Sequence, residues 1–143
     1  IGTVGLSVLN LCGREGRTLV GVEIVPDAIE NAKQNALLGG VQNARFILGD
    51  ATAAAEKLSR ENIVPDTVIV DPPRKGCDEK LLKIIAYDFA PKKLIYISCD
   101  PATLARDSKI LSENGYELKE YSPVDLFPGT AHIETVALFE QAE

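Results

Sequence analysis

Cys99 is the residue whose setting most clearly suggests chemistry. It sits in Ser98-Cys99-Asp100-Pro101, after an apolar run and before a helix start. A helix N-terminus offers free N–H groups and the positive end of the backbone dipole, and both favour the reactive thiolate form. Small buried cysteines are also common packing residues. A second unusual string is Asp71-Pro72-Pro73-Arg74-Lys75-Gly76, where two prolines stiffen the backbone straight after another apolar run. Such stiffness suits a turn that must hold a planar group. His132-Ile133-Glu134 places a carboxylate two residues after the only histidine, at the start of the last apolar run. Residues two apart on a strand share a face. Glu134 therefore reads either as a general base or as an edge-strand charge.

Three further positions could hold a nucleoside. Gly2-Thr3-Val4-Gly5 precedes a helix, where a glycine lets backbone approach a ligand closely. Glu23 ends an apolar strand about twenty residues later, where an acid accepts hydrogen bonds from ribose hydroxyls. This pairing does not distinguish adenosylmethionine from NAD. Asp50 follows Phe46-Ile47-Leu48-Gly49 and reads either as an adenine-binding acid or as the cap of the next helix.

The elements that must position these residues alternate along the chain. Helices are predicted at 3–11, from Pro26 to a stop at Gly39-Gly40, at 51–61, at 78–88, and from Pro101 to about 113. In the helix after Pro26, positions 28, 29, 32, 36 and 37 form its apolar face. Strands are predicted at 18–24, 44–48, 66–70, 93–98, 116–122 and 134–140, and the first is short and apolar enough to be buried. Alternation of strand and helix implies an α/β fold with a mostly parallel, doubly wound sheet. Only a loop separates the last two strands, so they should pair antiparallel. In such sheets ligands sit at the carboxyl ends of strands, where Glu23, Asp71 and Cys99 fall.

The 143 residues fit one domain, and 45% hydrophobic with 25% charged residues is ordinary globular composition. No apolar run approaches the ~20 residues of a membrane helix, and no secretory leader opens the chain. Cys12, Cys77 and Cys99 lack metal or disulfide spacing, which points to a reducing, cytoplasmic setting. The net charge of −6 opposes nucleic-acid binding by the chain as a whole. Arg74, Lys75, Lys92, Lys93, Arg106 and Lys109 are the local candidates for phosphate contacts, or else a solvated surface.

Three separated strings, DPPRKG at 71–76, SCDPATLARD at 98–107 and DLFPGTAHIE at 125–134, closely resemble the RNA uracil-5-methyltransferase family. The resemblance runs over essentially the whole chain. It implies a Rossmann-like methyltransferase fold with an antiparallel terminal hairpin, S-adenosylmethionine as methyl donor, and a uridine of ribosomal or transfer RNA as target. Cys99 resembles the family's nucleophile and Glu134 its proton-abstracting base. Gly2 and Thr3 in the Gly-rich turn, with Glu23, Asp50 and Asp71, resemble the cofactor-contacting positions. Position 100 is Asp where many members carry Asn. The resemblance also implies that the first strand and an amino-terminal RNA-binding part lie outside this sequence. Amino-methyltransferases share the fold, but an aromatic residue usually follows their Pro-Pro pair, and here Arg74 does. A non-catalytic RNA-binding module of the same fold is the remaining alternative.

Overall fold

The computed structural model describes every residue except 1, 127, 130–132 and 143, so His132 lies outside the described residues. The chain forms two compact units, Ile1–Ala54 and Ala55–Glu143, with the boundary inside a helix.

The first unit holds α1 (Thr3–Leu11), β1 (Leu19–Glu23), α2 (Pro26–Leu38), β2 (Ala44–Leu48) and the start of α3 (Ala51–Arg60). Strands β1 and β2 pair in parallel, Leu19 with Ala44 through Glu23 with Leu48. Pro26 opens α2, where its missing N–H costs nothing. The helix ends in a Schellman motif. Val41 N–H donates to Ala36 O at 2.8 Å, Gly40 N–H donates to Leu37 O at 3.0 Å, and Gly40 takes φ 66°. This turn swings Val41 back beside Ala36, Leu6 and Leu9 to form the core, with Leu19 and Phe46 packed against it.

The predicted apolar face of α2 needs one correction. Ile29, Ala32 and Ala36 are buried, but Leu37 is 80% exposed. The buried stripe is narrow, and Val41 fills the space that Leu37 was expected to take. Strand β1 is also only half-buried, because β2 is its one paired neighbour among the described residues.

The second unit continues α3 and adds β3 (Thr67–Val70), α4 (Glu79–Lys83), β4 (Lys93–Ser98), α5 (Pro101–Glu113), β5 (Tyr116–Val124) and β6 (Glu134–Gln141). Its sheet has the order β3-β4-β6-β5. Strands β3 and β4 are parallel, and β6 runs antiparallel to both β4 and β5, as the short final connection implied. The predicted helix at 78–88 is α-helical only to Lys83 and π-helical over Ile84–Phe89.

Strict alternation divides the two faces of this sheet. Leu94, Tyr96 and Ser98 of β4 and Thr135, Ala137 and Phe139 of β6 are buried. Leu82, Ile85, Phe89 and Leu111, from the helices of this unit, join them in the core. The intervening residues Ile95, Ile97 and Leu138 lie on the other face and are only half-buried.

Candidate active site

Within the first unit, the predicted nucleoside-binding residues gather at the carboxyl ends of β1 and β2. Gly2 precedes α1 in the left-handed region, with φ 67° and ψ 8°. A Cβ there would stand 3.0 Å from Ala32 Cβ and 3.3 Å from Phe46 Cε1, so both backbone and packing require glycine. No side chain caps the helix at Gly2, and Thr3 is exposed at its first turn. That leaves N–H groups for an outside acceptor.

Glu23 Oε1 accepts from Ile24 N–H at 2.7 Å and Val25 N–H at 3.0 Å. These bonds fix the carboxylate, and Oε2 has no protein partner among the described residues. Gly49 N–H donates to Glu23 O at 2.9 Å, which draws the two strand ends together. Asp50 follows directly, and its Oδ1 accepts from Ala53 N–H at 3.0 Å. The capping role of Asp50 is thus realised, and its second oxygen stays at the exposed rim.

In the second unit the geometry is set by register. Ser98 of β4 pairs with Thr135 of β6, and both are buried. Cys99 is the first residue past β4 and Glu134 the first of β6, so the Ser98–Thr135 pair sets both at the same end of these neighbouring strands. Both are half-buried. Segments 35 residues apart in the chain thus place a thiol and a carboxylate at one rim.

The turn carrying Cys99 is tightly built. Asp100 N–H donates to Ser98 Oγ at 3.2 Å, and Ser98 Oγ–H donates to Asp100 O at 2.9 Å. Asp100 caps α5 by accepting from Thr103 N–H at 2.9 Å. This bond first, with further donors from the same turn and the Arg74 guanidinium nearby, holds the Asp100 carboxyl below the usual range. Asparagine caps helices about as well, which explains why either residue suits position 100.

Asp71 lies just past β3, on the rim that carries Cys99. It is largely exposed, yet neighbouring atoms strip part of its hydration and push its carboxyl up. The end of the Pro-Pro loop is bonded to α5, the helix that follows the Cys99 turn, through Cys77 N–H and Asp107.

Sequence reasoning missed the group that ties these two loops together. Asp107 is completely buried on α5. Its Oδ2 accepts from Tyr96 O–H at 2.6 Å and Cys77 N–H at 2.8 Å. Its Oδ1 accepts from Arg106 Nε at 2.8 Å and from another guanidinium nitrogen at 2.6 Å. Burial pushes the Cys77 thiol up to about 12, which leaves it unreactive, and raises Tyr96 as well. The sequence held Asp107 as the last residue of the SCDPATLARD string, but an aspartate in a helical string ordinarily reads as solvated surface.

Gly76 closes the Pro-Pro loop at φ 78°, and its N–H donates to Pro73 O at 2.8 Å. A Cβ there would stand 2.5 Å from an Arg106 guanidinium nitrogen and 2.6 Å from Asp107 Oδ2. Gly76→Ala is expected to cost about 2–4 kcal/mol, from left-handed strain plus overpacking. Urea unfolding of the full-length protein checks this, and an unchanged midpoint would contradict it.

The basic candidates divide. Lys93 pairs with Glu140 and Lys109 with Glu113, each at 3.8 Å, and Arg106 serves Asp107. Among the described residues, no group of three His, Cys, Asp or Glu could hold a metal ion, and no helix is long and apolar enough to cross a membrane.

Known proteins resemble this chain in sequence and in fold. The model of the tRNA (uracil-5-)-methyltransferase family matches residues 14–142. The chain belongs to that family. An uncharacterized RNA methyltransferase of Bacillus cereus is 48% identical over 143 residues, all of this chain and 30% of that protein. A relative from Clostridium acetobutylicum with the same description is 48% identical over 142 residues, 99% of this chain and 30% of its own length. The chain thus spans about a third of these family relatives. A precorrin-6y C5,15-methyltransferase from Geobacter metallireducens shares the fold, with a TM-score of 0.74, 14% identity, and coverage of 98% of this chain and 75% of that one. That likeness shows the Rossmann-like methyltransferase architecture expected from the sequence.

Proposed function

We propose that this chain is part of the catalytic domain of an RNA methyltransferase that methylates carbon 5 of a uridine. Cys99 would act as nucleophile and Glu134 as base. What supports this reading is the family match together with the Ser98–Thr135 pairing, which leaves Cys99 and Glu134 at the same end of adjacent strands. A nitrogen methyltransferase needs no thiol at this rim.

S-adenosylmethionine fits the residues of the first unit. The uncapped start of α1 leaves N–H donors for a ligand. Glu23 offers an oriented carboxylate for ribose hydroxyls, with Asp50 beside it for the adenine. Thr3 would lie at the same turn, and the family resemblance makes Asp71 a further candidate for cofactor contact. Bound there, the donor supplies an electrophilic methyl group.

The chain's own residues supply the rest. Carbon 5 of uracil is a weak nucleophile. Attack by the Cys99 thiolate forms a bond to carbon 6 and moves the π electrons into an enolate with carbanion character at carbon 5. Carbon 5 would then take the methyl group as its bond to the donor's sulfonium breaks and the electron pair stays on sulfur, leaving a neutral thioether. Glu134 removes the remaining proton from carbon 5, the double bond re-forms, and the Cys99 thiolate leaves carbon 6. Placing thiolate, base and methyl group around one ring supplies much of the rate. The uracil must leave its stack to reach the rim, which suits a single-stranded or flipped uridine. Such an RNA-modifying role is at home in the cytoplasm.

The net charge of −6 assigns most of the RNA affinity to parts of the protein outside this chain. The test uses the full-length protein, bacterial ribosomal or transfer RNA lacking the modification, and methyl-labelled S-adenosylmethionine. Label in 5-methyluridine after digestion is the expected result. Label in an N-methylated nucleoside would replace the reading with amino-methylation. RNA bound without label would make the chain a binding module.

A further inference from the structure

We propose that Asp107 is a positioning residue, which locks the Pro-Pro loop at 71–77 to the Cys99 turn so that the two reacting rims stay aligned. The proposal rests on the uracil-methylation reading above. Asp107 touches none of the reacting atoms. It acts through three segments that each lead to the rim.

The first is β4. Tyr96 is completely buried and donates its hydroxyl to Asp107, and three residues later the same strand delivers Cys99. The second is α5 itself, where Asp107 lies about two turns after the Asp100 cap. The third is the Pro-Pro loop. Cys77 N–H donates to Asp107, and the Arg106 side chain that Asp107 orients donates to Lys75 O at 2.9 Å and Cys77 O at 3.4 Å. Gly76 packs against both side chains with no space for a Cβ. An open cleft of about 340 Å³ is lined by Lys75, Gly76 and Cys77 of this loop and by Arg106 and Ile110 of α5. The bonds of Asp107 and Arg106 hold the loop at this cleft.

Both carboxylate oxygens are in use, so an amide cannot replace them. In Asp107→Asn, either Arg106 or Cys77 N–H faces an N–H donor instead of an acceptor. The fold can survive this change, because the apolar core around Leu82, Ile85 and Phe139 is untouched. Misplacement of reacting groups by ~1 Å costs ~100-fold in rate.

The experiment compares full-length wild type, Asp107→Asn and Tyr96→Phe, each with kcat per folded molecule, KM for RNA and thermal midpoint. For Asp107→Asn the expected result is a kcat ~10–100-fold lower, with KM for RNA within about twofold. Tyr96→Phe removes one bond and should lower kcat by a smaller factor. It decides alone if Asp107→Asn does not fold. A purely structural role would lower the midpoint and leave kcat per folded molecule at the wild-type value, and that result would overturn the proposal. A loss confined to KM would also overturn it. A wild-type protein that makes no 5-methyluridine would remove the reading beneath it, an outcome distinct from an active wild type with an equally active Asp107→Asn.

Discussion

Cys99→Ala in the full-length protein is expected to abolish methyl transfer to uridine, with kcat/KM lower by ~10⁴-fold or more. In the proposed reaction the thiolate is the group that makes carbon 5 nucleophilic, and Cys77 cannot stand in for it. Cys77 is buried, with its thiol pushed up to about 12, and its backbone N–H is bound to Asp107. Binding of RNA and of S-adenosylmethionine should remain near wild type, because Cys99 is a small, half-buried side chain whose turn is held by Ser98 and Asp100. Methyl incorporation into unmodified RNA measures the loss. Retention of more than a few per cent of activity would show that carbon 5 is not activated through this thiol.

Glu134→Gln is expected to give a different defect. Attack and methylation need only the thiolate and the donor, whereas release needs the proton at carbon 5 to be taken. The variant should therefore accumulate a methylated protein–RNA adduct while multiple turnover falls by ~10²–10⁴-fold, the usual contribution of a positioned base. A gel that preserves covalent adducts, run after mixing with natural uridine RNA and donor, separates this case from simple loss of activity. If no adduct builds up although turnover falls, Glu134 acts before methyl transfer. If turnover is unchanged, the base lies elsewhere. The substitution keeps size and hydrogen-bonding capacity, so the register that pairs Val124 with Glu134 should persist.

Local features of this fold were legible in the sequence because they depend on near neighbours. Pro26 and Gly39-Gly40 bracket α2 through the backbone demands of single residues. The antiparallel pairing of β5 with β6 followed from the short connection between them. The positions of Glu23, Asp50, Asp71 and Cys99 at strand ends followed from where the apolar runs stop.

Long-range pairing was not legible in the same way. Residue types alone do not place β6 between β4 and β5, and that placement is what brings the start of β6, with Glu134, to the end of β4 that precedes Cys99. On its own, Glu134 could equally have been an edge charge. Asp107 stayed hidden because helical periodicity cannot tell a buried, fully bonded carboxylate from a solvated one. Leu37 was misplaced for a related reason. Its spacing suits the apolar face of α2, but Val41 reaches the core first through the turn that follows. The π-helical geometry of Ile84–Phe89 likewise has no composition signal.

Trapping the covalent intermediate on the wild-type, full-length protein tests the central claim most directly. RNA carrying 5-fluorouridine replaces the proton that Glu134 would remove with fluorine, which cannot leave as a proton. With S-adenosylmethionine present, the expected result is a denaturation-resistant adduct whose digested peptide carries a methylated fluorouridine on Cys99. Full methyl transfer to natural RNA with no adduct on the fluorinated RNA, or an adduct on any other residue, would contradict the role given to Cys99.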